Sequence, residues 1–305
     1  MPLVTPADPT SPARPGIPAL KTVPPPALVV GAVMSIQFGA ALATTLFADI
    51  GPAGTSLLRL GFAAAILMAV SRPRIGGRSR GDLALAAVFG LTLGLMNLSF
   101  YEALDRIPLG VTVTIEFVGP LTVGVLYSRR PLDLLWVAVA AVGIVLLVDP
   151  GAGGSLDALG LALAVFAGTC WGIYIVLNVR MGRRFAAGDG LALAMVVAAL
   201  LPIGPGIAEA GDALLEPRFL ALGLGIALLS SVIPYSLESE ALRRMPANVF
   251  GVLMSMEPGV AAVAGFLVLG QSLSGRDAVA IGLVVIASVG ITASGRGPAL
   301  EAPEG

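Results

Sequence analysis

The chain has 305 residues, 56% hydrophobic and only 12% charged, with a net charge of −1, no histidine and one cysteine. That charged share is about half that of an ordinary soluble domain, too little to cover a water-soluble fold of this length, and the mean hydropathy of +0.93 agrees. The balance excludes a basic nucleic-acid surface, a disulfide framework and a zinc site, and predicts an integral membrane protein with no metal and no cofactor.

Residues 1–26 come first and hold nine prolines, which read as a disordered cytoplasmic arm. Ala41–Leu42–Ala43 matches a signal-peptide cleavage site in form, but the proline arm is an odd leader and cleavage would delete a span. At roughly 20 apolar residues per crossing of a ~30 Å hydrocarbon core, residues 27–48 form the first of ten predicted helices. The others are expected at 53–71, 82–101, 107–127, 132–149, 156–178, 190–208, 219–237, 246–269 and 275–294, followed by a cytoplasmic tail at 295–305. With the N-terminus inside, the inner segments carry fourteen of the eighteen Lys and Arg residues, against Arg106, Arg218 and Arg276 outside. This bias places both termini in the cytoplasm. The remaining one, Arg59, lies six residues into the second helix. It either clamps a carboxylate or pairs structurally with an acid.

Residues 102–108, EALDRIP, return at 240–246 as EALRRMP, five of seven identical at an offset of 138, and Pro120 falls on Pro258 at that offset. Each half, 27–149 and 156–294, then holds five helices, and an odd number inverts the second half. The expected fold is all-α: ten transmembrane helices in two inverted five-helix repeats, with a substrate site near the midplane.

Polar residues inside the apolar runs are the candidates for that site. Glu116 interrupts VTVTIEFVGPLTVGVLY (111–127) and Glu257 interrupts VFGVLMSMEPGVAAVAGFLVLG (249–270), each near a proline. A mid-bilayer carboxylate costs at least ~2.5 kcal/mol on insertion scales, so such residues usually face an interior or a water-filled cavity. They either carry a proton or hold a substrate ammonium, or they mend a helix by bonding backbone groups freed by the proline. Gln37 on helix one, and Asn97 with Tyr101 on helix three, add amide and phenol groups. Trp171, Tyr174 and Asn178 share a face of helix six at i, i+3, i+7. These suit a cavity for a small polar solute, and Tyr101 and Asn178 equally suit interfacial anchors. Ala27, Gly31, Ser35, Gly39 and Ala43, and likewise Ala247, Gly251, Ser255 and Gly259, form small-residue ladders that read as close-packing faces.

Several stretches resemble the threonine/homoserine exporter family of the drug/metabolite transporter superfamily, built from EamA-type domains. They are MSIQFGAALATTLF (34–47), GLMNLSFYEALDRIPLGVTVTIEFVGPL (94–121), SRRPLDLLWV (128–137), WGIYI (171–175), PYSLE (234–238) and FGVLMSMEP (250–258), within a similarity running from about 27 to 293. The resemblance implies a secondary transporter of the inner (plasma) membrane that exports a small amino acid such as threonine or homoserine, for instance by antiport against a proton or solute gradient. Its partners would be that small molecule and the lipid bilayer; pairing into a homodimer stays open. One position departs: the family's acid after Leu-Gly at the end of helix nine is Gln271 here, which puts local packing or loop contacts in question. No G-x-x-x-x-G-K-[ST] loop occurs, so ATP is not the expected driver. Two alternatives stand beside this reading, a carrier of lipophilic drugs or nucleotide sugars and a membrane-embedded lipid-modifying enzyme. The enzyme would want an acid/base or metal constellation that two isolated acids do not supply.

Overall fold

A computed structural model describes residues 22–73, 76–127, 132–148, 156–185, 188–242, 244–245 and 247–294. Among them every regular element is helical. Most of the expected proline arm, up to residue 21, and the tail from 295 lie outside the described residues. The last two prolines of the arm instead open α1 (Pro25–Thr44), because a first helical turn has no use for their missing N–H groups.

Three further long helices follow the hydrophobic runs: α2 (Phe47–Ser71), α3 (Arg80–Leu104) and, later, α7 (Ala158–Gly182). With the runs Pro217–Glu238 and Val249–Leu269 they make six helices long and apolar enough to cross a membrane. A pair bent by 48°, Asp189–Leu200 with Ile203–Leu215, makes a seventh if counted as one span, and Leu109–Val123 and Leu134–Leu147 are shorter apolar helices. The chain is an all-helical, multi-pass membrane protein.

Proline explains where the helices break. It lacks an N–H, and its ring crowds the carbonyl four residues earlier. Accordingly α4 (Leu109–Glu116) ends four residues before Pro120, and α5 (Val118–Tyr127) resumes beyond Phe117. After α6 (Leu132–Val148) and α7, α8 (Asp189–Leu200) bends around Pro202 into α9 (Ile203–Ala210) and a 3-10 turn at Gly211–Leu215. Next, α10 (Pro217–Ala227) passes through a π turn, Leu228–Val232, into α11 (Ile233–Leu242). There Pro234 leaves the Ser230 carbonyl without its usual donor four residues on. Then α12 (Ala247–Met254) ends four residues before Pro258, and α13 (Glu257–Leu269) and α14 (Gly275–Ser294) follow. Within α2, the chain kinks at Gly51 (φ 69°) ahead of Pro52. Glu209 of α9 accepts from the N–H groups of Ala53 and Gly54 there, at 2.8 and 3.4 Å.

These pieces pack in a consistent set of pairs: α1 against α11 and α13, α7 against α3 and α5, α4 against α13, α2 against α8, α6 against α14. The small-residue ladder of α1 seats the π turn, with Ser35 Oγ donating to the Leu229 carbonyl at 2.6 Å and Gly39 lying against Leu229 and Ser230. Past α13, Gln271 Oε1 accepts from the Leu109 N–H at 3.1 Å. It caps the first turn of α4, which Pro108 caps with no side-chain bond. The amide oxygen thus satisfies one of the backbone donors left free at the start of α4.

Candidate functional site

The breaks bring polar groups to the middle of the bundle. Glu116 is the last residue of α4, and Glu257 is the first residue of α13. Gln37 comes from α1, Arg59 from α2, Asn97 from α3, and Trp171 and Tyr174 from α7. The π turn and α11 add Ser230, Tyr235 and Glu238. Together they line a cavity of about 150 Å³.

Both expected acids are screened from the outside, Glu116 at 8% and Glu257 at 5% exposure, and both face the cavity. Gln37 Nε2 donates to Glu257 Oε2 at 3.5 Å. Among the described residues neither carboxylate bonds to a backbone group; Glu257 takes the Gln37 amide. Gly168 sets how closely α7 approaches: a Cβ there would stand 2.5 Å from the Glu116 carbonyl oxygen and 3.0 Å from its Cα. The approach seats Trp171 edge-on to Phe117 at 5.2 Å, while Tyr174 stacks on Phe89 at 5.1 Å.

Arg59 is the cation of the site. It is 8% exposed, and among the described residues no acid pairs with it. Its guanidinium lies over the Tyr101 ring at 5.2 Å. Its Nη2 donates to the Ser230 carbonyl at 3.5 Å, the carbonyl that Pro234 deprives of a donor, and its Nε has no partner. Glu116 is near enough to interact electrostatically with the guanidinium, although the two do not form an ion pair.

Of the residues singled out from sequence, Gln37, Arg59, Asn97, Glu116, Trp171, Tyr174 and Glu257 all line the cavity. Tyr101 does not. It is wholly buried beneath Arg59 and 5.5 Å from the Phe47 ring, so it supports the arginine and is not an interfacial anchor. Asn178 is exposed and outside the cavity. It shares a face with Trp171, but seven residues carry it ~10.5 Å further along the axis, past the site. Asn97 spends one N–H on the Leu93 carbonyl of its own helix, 2.8 Å away.

Ser230, Tyr235 and Glu238 were not expected. Hydropathy ends the eighth span at 237, one residue short of Glu238, whereas α11 runs on to Leu242. The usable signal was PYSLE itself, which puts a proline and an acid in one apolar segment, as at Glu116 and Glu257. Among the described residues no group of three or more Cys, Asp or Glu is placed to hold a metal ion.

Residues 158–293 match the EamA-like transporter family. The chain is 42% identical over 265 residues to the threonine/homoserine exporter RhtA of Salmonella typhimurium (strain LT2), covering 86% of this chain and 88% of that protein. Against the threonine/homoserine exporter RhtA of Escherichia coli (strain K12) it is 41% identical over 272 residues, 88% and 91% of the two chains. An uncharacterized transporter of Clostridium kluyveri is 22% identical over 239 residues, 72% and 74% of the two. A protein crystal structure that is 18% identical shares the fold, with a TM-score of 0.62 over 88% of this chain and 98% of that one.

Proposed function

The chain belongs to the threonine/homoserine exporter RhtA family among the EamA-like transporters, and from that premise we propose that it exports small amphoteric amino acids such as threonine and homoserine across the inner membrane. It is a transporter and not an enzyme. One observation carries the choice of solute: a single small cavity presents both signs of charge. Arg59 offers a partner for a substrate carboxylate, while Glu116, Glu238 and Glu257 offer partners for an ammonium or seats for a proton. A lipophilic drug would leave all four unpaired, at a cost. Drug-sized ligands also occupy roughly 300–1,000 Å³, more than the cavity's 150 Å³. With three acids to one arginine, one acid holds the ammonium while another exchanges a proton with the far side, which makes export a proton antiport.

The transport cycle in this reading runs on ten spans in two inverted repeats, 27–149 and 156–294, with both termini cytoplasmic. Support comes from helix bounds: α4 and α12 begin 138 residues apart and end 138 residues apart, and so do the ends of α3 and α11. The packing pairs also exchange with one another when the halves are swapped. Thus α7 on α3 corresponds to α1 on α11, α5 on α7 to α13 on α1, and the pairs α2–α8 and α6–α14 map onto themselves. The excess of positive charge on one side supports the orientation.

The test is purified protein in sealed vesicles with an imposed pH gradient. Labelled threonine should accumulate against its own gradient, and collapsing the pH gradient should stop it. Glu116→Gln should remain monodisperse in detergent, since the amide keeps the shape and removes a charge from mid-membrane. Its transport should fall by about a hundredfold, because an amide neither releases a proton nor neutralises an ammonium. Near-normal transport with an unchanged profile over about pH 5–9 would remove Glu116 from the mechanism.

A further inference from the structure

Besides Arg59 Nε, two polar atoms of residues in the cavity wall are buried and have no partner among the described residues: Gln37 Oε1 and Ser230 Oγ. The two residues are 2% and 4% exposed. Buried polar atoms are nearly always paired, so each unpaired one calls for an explanation. Their neighbours fix what each has left to offer. The Gln37 amide gives its Nε2 to Glu257, so the end left without a partner is its carbonyl oxygen, an acceptor. Ser99, Ser236 and Ser255 spend their hydroxyls on the carbonyl four residues back in their own helices. Ser230, in the π turn, makes no such bond. Gly39 of α1 leaves the space its hydroxyl occupies, since a Cβ at that glycine would collide with Ser230 Oγ. An acceptor on α1 and a hydroxyl on the adjoining π turn, both without a partner among the described residues, thus belong to two residues that line the same cavity.

We propose that Gln37 and Ser230 form a subsite for the substrate's side-chain hydroxyl. Gln37 Oε1 accepts its proton, and Ser230 Oγ donates to its oxygen. The inference rests on the amino-acid export reading and assigns selectivity within it: Arg59 and the acids hold the groups common to all amino acids, while this pair reads the hydroxyl. A ligand lacking the hydroxyl leaves both wall atoms unpaired, the situation in which binding sites discriminate most strongly.

The experiment uses the full-length protein in vesicles, with labelled threonine as the transported species. Unlabelled threonine, homoserine, valine and 2-aminobutyrate compete. On the unaltered protein, the two hydroxylated competitors should act at concentrations about tenfold or more below the other two. Ser230→Ala and Gln37→Leu should each weaken threonine about tenfold more than 2-aminobutyrate, drawing the ratio toward one. Transport of threonine with no discrimination by the unaltered protein overturns the subsite and leaves the export reading intact. So do variants that stay monodisperse and weaken all competitors alike. If the unaltered protein moves no amino acid, the export reading falls and the subsite with it.

Discussion

Gln271 shows how a single side chain serves two distant parts of the chain. It follows α13, yet its Oε1 caps the first turn of α4 through the Leu109 N–H. Gln271→Leu removes that acceptor and should lower stability by about 1 kcal/mol, read as a fall in the thermal midpoint in detergent. Gln271→Glu keeps an acceptor and adds a negative charge at a helix N-terminus, so the midpoint should hold or rise by about a degree. The two substitutions thus move in opposite directions. The same scale shows what sequence could reveal. An acid in an oily run announces itself by composition, and Glu116, Glu257 and Arg59 were all found that way. Tyr101 was placed near the site for its polarity, but its buried ring beneath Arg59 is what matters. Glu238 was missed because a hydropathy cut assigns the last polar residue of a span to a loop, whereas the helix continues past it to Leu242.

At the scale of elements, the proline rule accounts for most interruptions. Each of α4 and α12 stops four residues before its proline, a position that can be counted from sequence once the helix is granted. The π turn at Leu228–Val232 could not be read so. A shift from i+4 to i+5 bonding leaves no mark in hydrophobic periodicity, and it depends on α1 presenting Gly39 to the turn. The contact between α4 and α7 is similarly tertiary in origin. Gly168→Ala places a methyl group against the Glu116 backbone, and backbone there cannot yield as a flexible side chain can. The expected cost is about 1–3 kcal/mol, with a marked loss of transport because α4 carries Glu116. Gly259→Ala is the comparison, since nothing lies within 4 Å of its added Cβ. Equal behaviour of the two variants in thermal unfolding and vesicle transport would show that the close approach is unimportant.

For the whole molecule, the arrangement of charge makes the most direct prediction. In a Cys170→Ser background, Asp212→Cys should react with a membrane-impermeant thiol reagent on intact cells. Gly76→Cys, exposed and with open space around its Cβ, should react only once the cells are opened. Labelling of Gly76→Cys from outside would invert the orientation. The all-helical, multi-pass class was legible, because hydrophobic runs are statements about one-dimensional order, while the basic residues and the EALxRxP repeat carry the orientation and the inverted halves only as proposals. The cavity was less so, since its walls come from eight helices and a π turn whose rotations only packing decides. The equal bounds of α4 and α12 carry one more consequence. Two identical halves of opposite direction would make the inward- and outward-open forms degenerate, each the other with its halves exchanged. Symmetry is broken where the repeats disagree: at the offset of 138, Glu116 stands opposite Met254, and Glu257 opposite Gly119. In the proposed inverted-repeat antiporter, the residues that hold charge in the cavity would therefore also be those that lift the degeneracy, and protonation and substrate would act on the very positions that decide which way the protein rests.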